Sequence, residues 1–138
     1  MTENEFSKFV DKEEKRLEKF CKCETNDFIL EKELALKELV LKVLRAIASS
    51  EKTSAFKSML KKKSFYGTCG VSIASEYSWN EIYMYFVIGP EEKDLIKIHS
   101  DINEHNERYW HVVNYKTDQF YGCQSIEALI ECLENLSM

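Results

Sequence analysis

The sequence predicts an α+β domain: N-terminal helices, two long and one short, packed on a four- to five-stranded antiparallel sheet, with a C-terminal helix. Three observations predict it. Apolar residues recur at three- and four-residue steps up to about residue 63. The period then changes to two, in short runs separated by short turns. It returns to the helical step over the last dozen or so residues, roughly 126–136.

The first helix begins after Thr2, with Glu5 three residues on, as a capping box requires. Phe6, Phe9, Val10, Leu17, Phe20 and Cys21 mark its inner face. "CETND" interrupts, and Asn26 or Asp27 can cap a second helix over roughly 28–49. Its main stripe is Leu36, Val40, Val43, Leu44 and Ile47, widened by Leu30, Leu34 and Leu41. After "SSEKTS" a short third helix turns Phe56, Met59 and Leu60 inward. "YGTCGVSIASEY" alternates Cys69, Val71 and Ile73 with small residues, so it reads as a half-buried strand. "EIYMYFVI" is apolar on both faces, which suits a central strand. "LIKIH" and "RYWHVVNYK" are two more strands, and "FYGC" a short fifth. Ser125 then caps the last helix, with Ile126, Leu129, Ile130, Leu133 and Leu136 on one stripe. Grouped strands with short links imply antiparallel pairing, and no flexible linker divides the chain. Residues 1–138 are therefore read as one domain, with a helical part over about 3–63 and a sheet plus final helix over about 65–136.

Composition narrows the function classes. With 44% hydrophobic residues and only five Pro and Gly together, the chain can build a core. No run reaches the ~18–20 apolar residues of a membrane span. The charged start and five cysteines, an odd number, fit a cytoplasmic protein with free thiols. Charge is unevenly placed: residues 1–69 carry 15 Lys and Arg against 12 Asp and Glu, residues 70–138 only 4 against 12. The acidic half repels phosphate backbones, so neither nucleic acid nor a membrane is an expected partner; a protein with a basic surface is.

All three histidines fall within "HSDINEHNERYWHVVNY" as His99, His105 and His111. If His99 pairs with Tyr109, and Lys97 with His111, strand parity sends Trp110 and Val112 to the core. Lys97, His99, Tyr109 and His111 then share the outer face, the two histidines diagonal and roughly 7–8 Å apart at the backbone. That is compatible with two ligands on one metal, but the spacing matches no strong zinc signature. There is no phosphate-binding glycine loop, nucleophile elbow or HExxH. No cofactor, metal ligand or catalytic residue is assigned. Tyr83 and Tyr85 face opposite to Ile82, Met84, Phe86 and Ile88. With Tyr109 and Tyr115 they make a tyrosine-rich face, and tyrosines favour interfaces. The expected partner-binding residues are Tyr83, Tyr85, His99, Glu104, Glu107, Tyr109, His111 and Tyr115. The expected function is that of a small acidic binding protein, an inhibitor or immunity-type protein that occludes a basic surface of a nuclease or nucleic-acid enzyme. A secretion-chaperone-like or oligomerising scaffold module, and a metal- or Cys/His-dependent enzyme centred on the three histidines, are the alternatives.

Overall fold

A computed structural model describes residues 1–21, 27–61, 69–72, 81–102, 105 and 107–136. In chain order the elements are α1 (Glu3–Cys21), α2 (Asp27–Ser49), a 3-10 turn (Glu51–Thr53), α3 (Ser54–Met59), β1 (Cys69–Ser72), β2 (Glu81–Val87), β3 (Leu95–Ile102), β4 (Arg108–Asn114), β5 (Gln119–Cys123) and α4 (Ile126–Glu134). The α+β arrangement expected from the apolar periods is the one observed.

Local chemistry starts α1 and α4 where the pattern placed them. The Thr2 hydroxyl accepts from the Glu5 N–H at 3.1 Å, satisfying one of the unpaired donors at the head of α1. Ser125 does the same for α4, its Oγ accepting from the Ala128 N–H at 3.0 Å. On α2 the stripe Leu36, Val40, Val43, Leu44 and Ile47 is buried, and so is Leu41. Leu34, expected to widen it, is 42% exposed. Leu30 carries a side chain outside the described set. Salt bridges tie α1 internally, Arg16 to Glu13 at 2.7 Å, and to α2, Arg45 to Glu14 at 2.9 Å.

A charged seam closes the N-terminal helices. Lys57 of α3 is fully buried. Its ammonium is paired with Glu3 of α1 and donates to the carbonyls of Ala48, at 3.1 Å, and Ser50, at 3.3 Å. The Met1 ammonium donates to the Lys57 carbonyl at 3.0 Å and the Leu60 carbonyl at 2.7 Å. A buried ammonium is tolerable only with such a full set of acceptors. The Lys57 bond is also the chief reason that the Glu3 carboxyl lies below its ordinary range.

The sheet is a five-stranded antiparallel meander in the order β1-β2-β3-β4-β5. Its strands alternate, as period two demands. Ile82, Met84, Phe86, Ile96, Ile98, Trp110 and Val112 turn inward and share one core with Val40, Leu44 and Ile47 of α2 and Leu129 and Leu133 of α4. Phe56 meets Phe86 edge-on, with ring centroids 5.3 Å apart, joining α3 to the sheet. The other set of strand residues points away from these helices.

The β3–β4 register differs from the sequence-based expectation by two residues. His99 lies opposite His111, Asp101 opposite Tyr109, and Lys97 opposite Val113. Pairing runs on to Ile102 and Arg108, so β3 is longer than "LIKIH". Hydrophobic alternation fixes the face of a strand but leaves shifts of two residues open; the length of the hairpin connection decides between them. A two-residue shift conserves parity, and so the core and outer faces stay as assigned.

Candidate functional site: an aromatic row on the outer sheet face

The outer face carries Tyr83 and Tyr85 from β2, Lys97, His99 and Asp101 from β3, Tyr109 and His111 from β4, and Phe120 from β5. Four of these rings form a row across the strands. Tyr83 and His99 are direct cross-strand partners and stack almost parallel, with centroids 4.8 Å apart and planes 4° apart. His99 and His111 follow at 5.7 Å and 30°. His111 then stacks on Phe120 at 5.6 Å and 29°.

The last step passes over a glycine. His111 lies opposite Gly122, and Phe120 lies opposite Val113. Because Gly122 has no side chain, the His111 ring can lean across to its diagonal neighbour. A Cβ at Gly122 would meet His111 Nδ1 at 3.9 Å, an ordinary contact distance. Diagonal neighbours on a sheet are within reach of aromatic side chains.

Charge around the row is sparse and specific. The Lys97 ammonium lies 4.9 Å from the Tyr83 ring centroid and 5.8 Å from that of Tyr85, within cation–π range. His111 Nε2 is 3.8 Å from Asp101 Oδ1, an ion pair when the imidazole is protonated. At the rim, Arg108 donates to Ser100 Oγ at 3.0 Å, and Ser100 donates to the Tyr109 carbonyl at 2.8 Å. Burial pulls the Arg108 guanidinium below its ordinary range, and the nearby Asp101 carboxylate opposes that. The Tyr109 hydroxyl accepts from Gln124 at 3.3 Å.

The structure brings together Tyr83, Tyr85, His99, Tyr109 and His111. His99 and His111 are direct rather than diagonal partners, which corrects the looser spacing expected from the shifted register. Tyr115 stands apart at the start of the β4–β5 turn, 40% exposed. Glu107 is exposed just before β4. Glu104 lies outside the described residues. His105 sits exposed in the β3–β4 connection. Among the described residues no group of three or more His, Cys, Asp or Glu is placed to hold a metal ion. Phe120, 62% exposed, is the member of the row that sequence reasoning missed. The alternation of "QFYGC" puts Phe120 and Gly122 on one face, but only the β4–β5 register shows that this is the face of His111.

Among the described residues, two clefts lie away from the row. One of about 510 Å³ runs along α2 between Ala35, Glu38, Leu39, Lys42 and Arg45. The other, about 270 Å³, is lined by Ser58, Met59, Lys61, Ile88 and Lys116. Neither includes a ring of the row. No helix among the described residues is long and apolar enough to cross a membrane. Compared with protein families, curated proteins and solved structures, the chain matches none.

Proposed function

We propose that this chain is a small cytoplasmic binding protein of the inhibitor or immunity type, which docks a basic surface of a partner such as a nuclease or nucleic-acid enzyme onto its outer sheet face. One observation carries the reading: a row of stacked rings, on rigid strands, on the face that points away from the helices. Such side chains lose little conformational freedom on binding because cross-strand stacking already holds them. Tyr83, Tyr85, His99, Tyr109 and His111 form the contact surface, with Asp101 and Glu107 at its margin and Tyr115 as an outlying contact; Glu104, outside the described residues, is retained from the sequence.

The face itself is close to neutral, with Lys97 set against Asp101. Attraction for a basic partner therefore comes from acids at the ends of the sheet: Glu107 before β4, and Glu91, Glu92 and Asp118 in the turns. That division gives the rings contact area and specificity, and the rim charges association rate. A partner's Arg or Lys can replace Lys97 over Tyr83 and Tyr85.

The test uses the partner recovered by affinity capture, then titrated calorimetrically with wild type and with a Tyr83→Ala, Tyr85→Ala double variant. Affinity should fall at least about a hundredfold, as for two interface aromatics, while the unfolding midpoint shifts little. Association should also slow as salt rises. Unchanged affinity, or a loss of folding with no separable binding defect, would sink the proposal.

A further inference from the structure

Two of the five cysteines come together where α4 lies along the sheet. Cys123 ends β5, and Cys132 lies in α4. Strand parity sets the direction of the first. Phe120 and Gly122 are exposed, whereas Gln119, Tyr121 and Cys123 turn the other way. Cys123 sits opposite the buried Trp110 of β4, on the face that the helices cover. Helical spacing sets the second: Cys132 falls three residues after the buried Leu129 and flanks the apolar stripe of α4. Both are free, half-buried thiols packed against the same core. The two elements are tied side by side nearby. The Tyr121 hydroxyl, two residues before Cys123, donates to the carbonyl of Asn135, three residues after Cys132, at 3.5 Å. The two thiols themselves lie within hydrogen-bonding reach of each other.

We propose that Cys123 and Cys132 are a redox-responsive pair, which a low-molecular-weight disulfide such as oxidised glutathione converts into an intrachain disulfide that ties the end of β5 to α4.

Exchange proceeds in two balanced steps. The Cys132 thiolate attacks one sulfur of the reagent, forming a mixed disulfide and releasing one glutathione thiolate. Cys123 Sγ then attacks the Cys132 sulfur of that mixed disulfide and releases the second. Each departing thiolate takes up the proton that a cysteine gave. Two protein thiols are oxidised, and one reagent disulfide is reduced to two thiols. Cys123 acts second because burial, with Cys132 beside it, pushes its thiol up to about 12. The same property protects the product. Reduction by attack at Cys132 must expel the Cys123 thiolate, a poor leaving group in that setting. The pair therefore closes slowly and opens slowly. In a reducing compartment it rests as the dithiol and answers only a sustained oxidising shift. Closure braces β5, whose Phe120 ends the ring row. No outside protein enters this inference, and its failure leaves the docking proposal above intact.

Equilibrating the full chain in mixtures of reduced and oxidised glutathione, then quenching with acid, alkylating and digesting, reads the outcome. No Lys or Arg follows Lys116 in the sequence, so trypsin leaves both cysteines on one fragment. That fragment is expected to lose two hydrogens and to carry neither glutathione nor another peptide. Cys132 follows Cys123 by only nine residues, so some closure occurs in any unfolded chain. The equilibrium constant for closure should be about tenfold or more higher in native protein than in urea, because the fold holds the thiols together. The oxidised chain should melt above the reduced one for the same reason. A native constant no higher than that in urea overturns the proposal. So does a fragment that stays reduced across the series, one that holds glutathione without closing, or Cys123 joined to a different cysteine. An oxidised chain that melts lower overturns it equally, since closure would then strain the contact on which the pair depends.

Discussion

Replacing Lys57 tests how the N-terminal helices are held. Its side chain is 1% exposed, whereas that of Glu3 is 58% exposed, so one end of the pair is sealed and the other is wet. Lys57→Ala removes the charge and most of the buried stem. Loss of packing and an incompletely collapsed cavity should cost about 2–4 kcal/mol. Lys57→Met keeps most of the stem and removes the desolvated charge, leaving the Ala48 and Ser50 carbonyls without this donor. Those effects oppose each other, and about 1 kcal/mol should remain. Glu3→Gln leaves the ammonium in place with a neutral partner. A sealed pair would lose ~3–5 kcal/mol, but water reaches Glu3, so about 1 kcal/mol is the expectation. Urea unfolding at neutral pH, followed by far-ultraviolet circular dichroism, ranks the three. A Lys57→Ala cost within about 0.5 kcal/mol, typical of surface positions, would refute the burial argument.

The same pair has an acid signature. Lys57 lowers the Glu3 pKa from its ordinary value of 4.5. A carboxylate whose folded pKa is depressed contributes stability that is fully present above the unfolded pKa. That contribution is lost as pH falls through the folded value. Wild type should therefore lose more stability than Glu3→Gln as pH is taken from 6 down to below about 4. Parallel acid limbs in the two proteins would remove Glu3 from the explanation.

Three further outcomes follow from the geometry. A Cβ at Gly89 would fall 2.3 Å from Asp94 Oδ2 and 2.7 Å from its Cγ. Asp94 is buried, its carboxylate accepts from the Glu91 N–H at 3.0 Å and its carbonyl from the Ile88 N–H at 2.8 Å. Gly89→Ala should thus cost about 2 kcal/mol or more in a thermal melt, and an unchanged midpoint would show that the β2–β3 turn rearranges freely. Burial, helped by the adjacent Cys132, pushes the Cys123 thiol up to about 12. Since the thiolate is the reactive form, Cys123 should alkylate far more slowly in native protein at pH 8 than in urea, read by peptide mass spectrometry; equal rates would contradict its burial. Tyr83→Ala with Tyr85→Ala should leave far-ultraviolet circular dichroism unchanged, and a collapse of the signal would mark these rings as structural.

What could be read from the residues was governed by range. Capping at Thr2 and Ser125 depends on neighbours three residues away, and both caps stand where the pattern put them. Parity is equally local, so Ile96, Ile98, Trp110 and Val112 were assignable to the core, and His99 and His111 to one outer face. Register was not, because it depends on how many residues the β3–β4 connection consumes. Burial of Lys57 was invisible for a related reason: its acceptors lie on α1 and at the end of α2. Phe120 joined the row only once the β4–β5 pairing set Gly122 opposite His111. Leu34 and Leu41 show the same limit on α2, where a wide apolar stripe did not reveal which edge would be covered.

The meander has one more consequence, for the order of events in folding. Each strand pairs with its neighbour in sequence, so building the sheet is a succession of short loop closures, each with a small entropic cost. Attaching the helices needs long ones: Glu3 must find Lys57, 54 residues away, and Lys52 must find Glu131. Chains dominated by short-range pairing fold fast, and the distant closures set the remaining barrier. The β2–β5 meander is therefore expected to form before the Glu3–Lys57 seam closes, an order that pulsed hydrogen exchange during refolding would read.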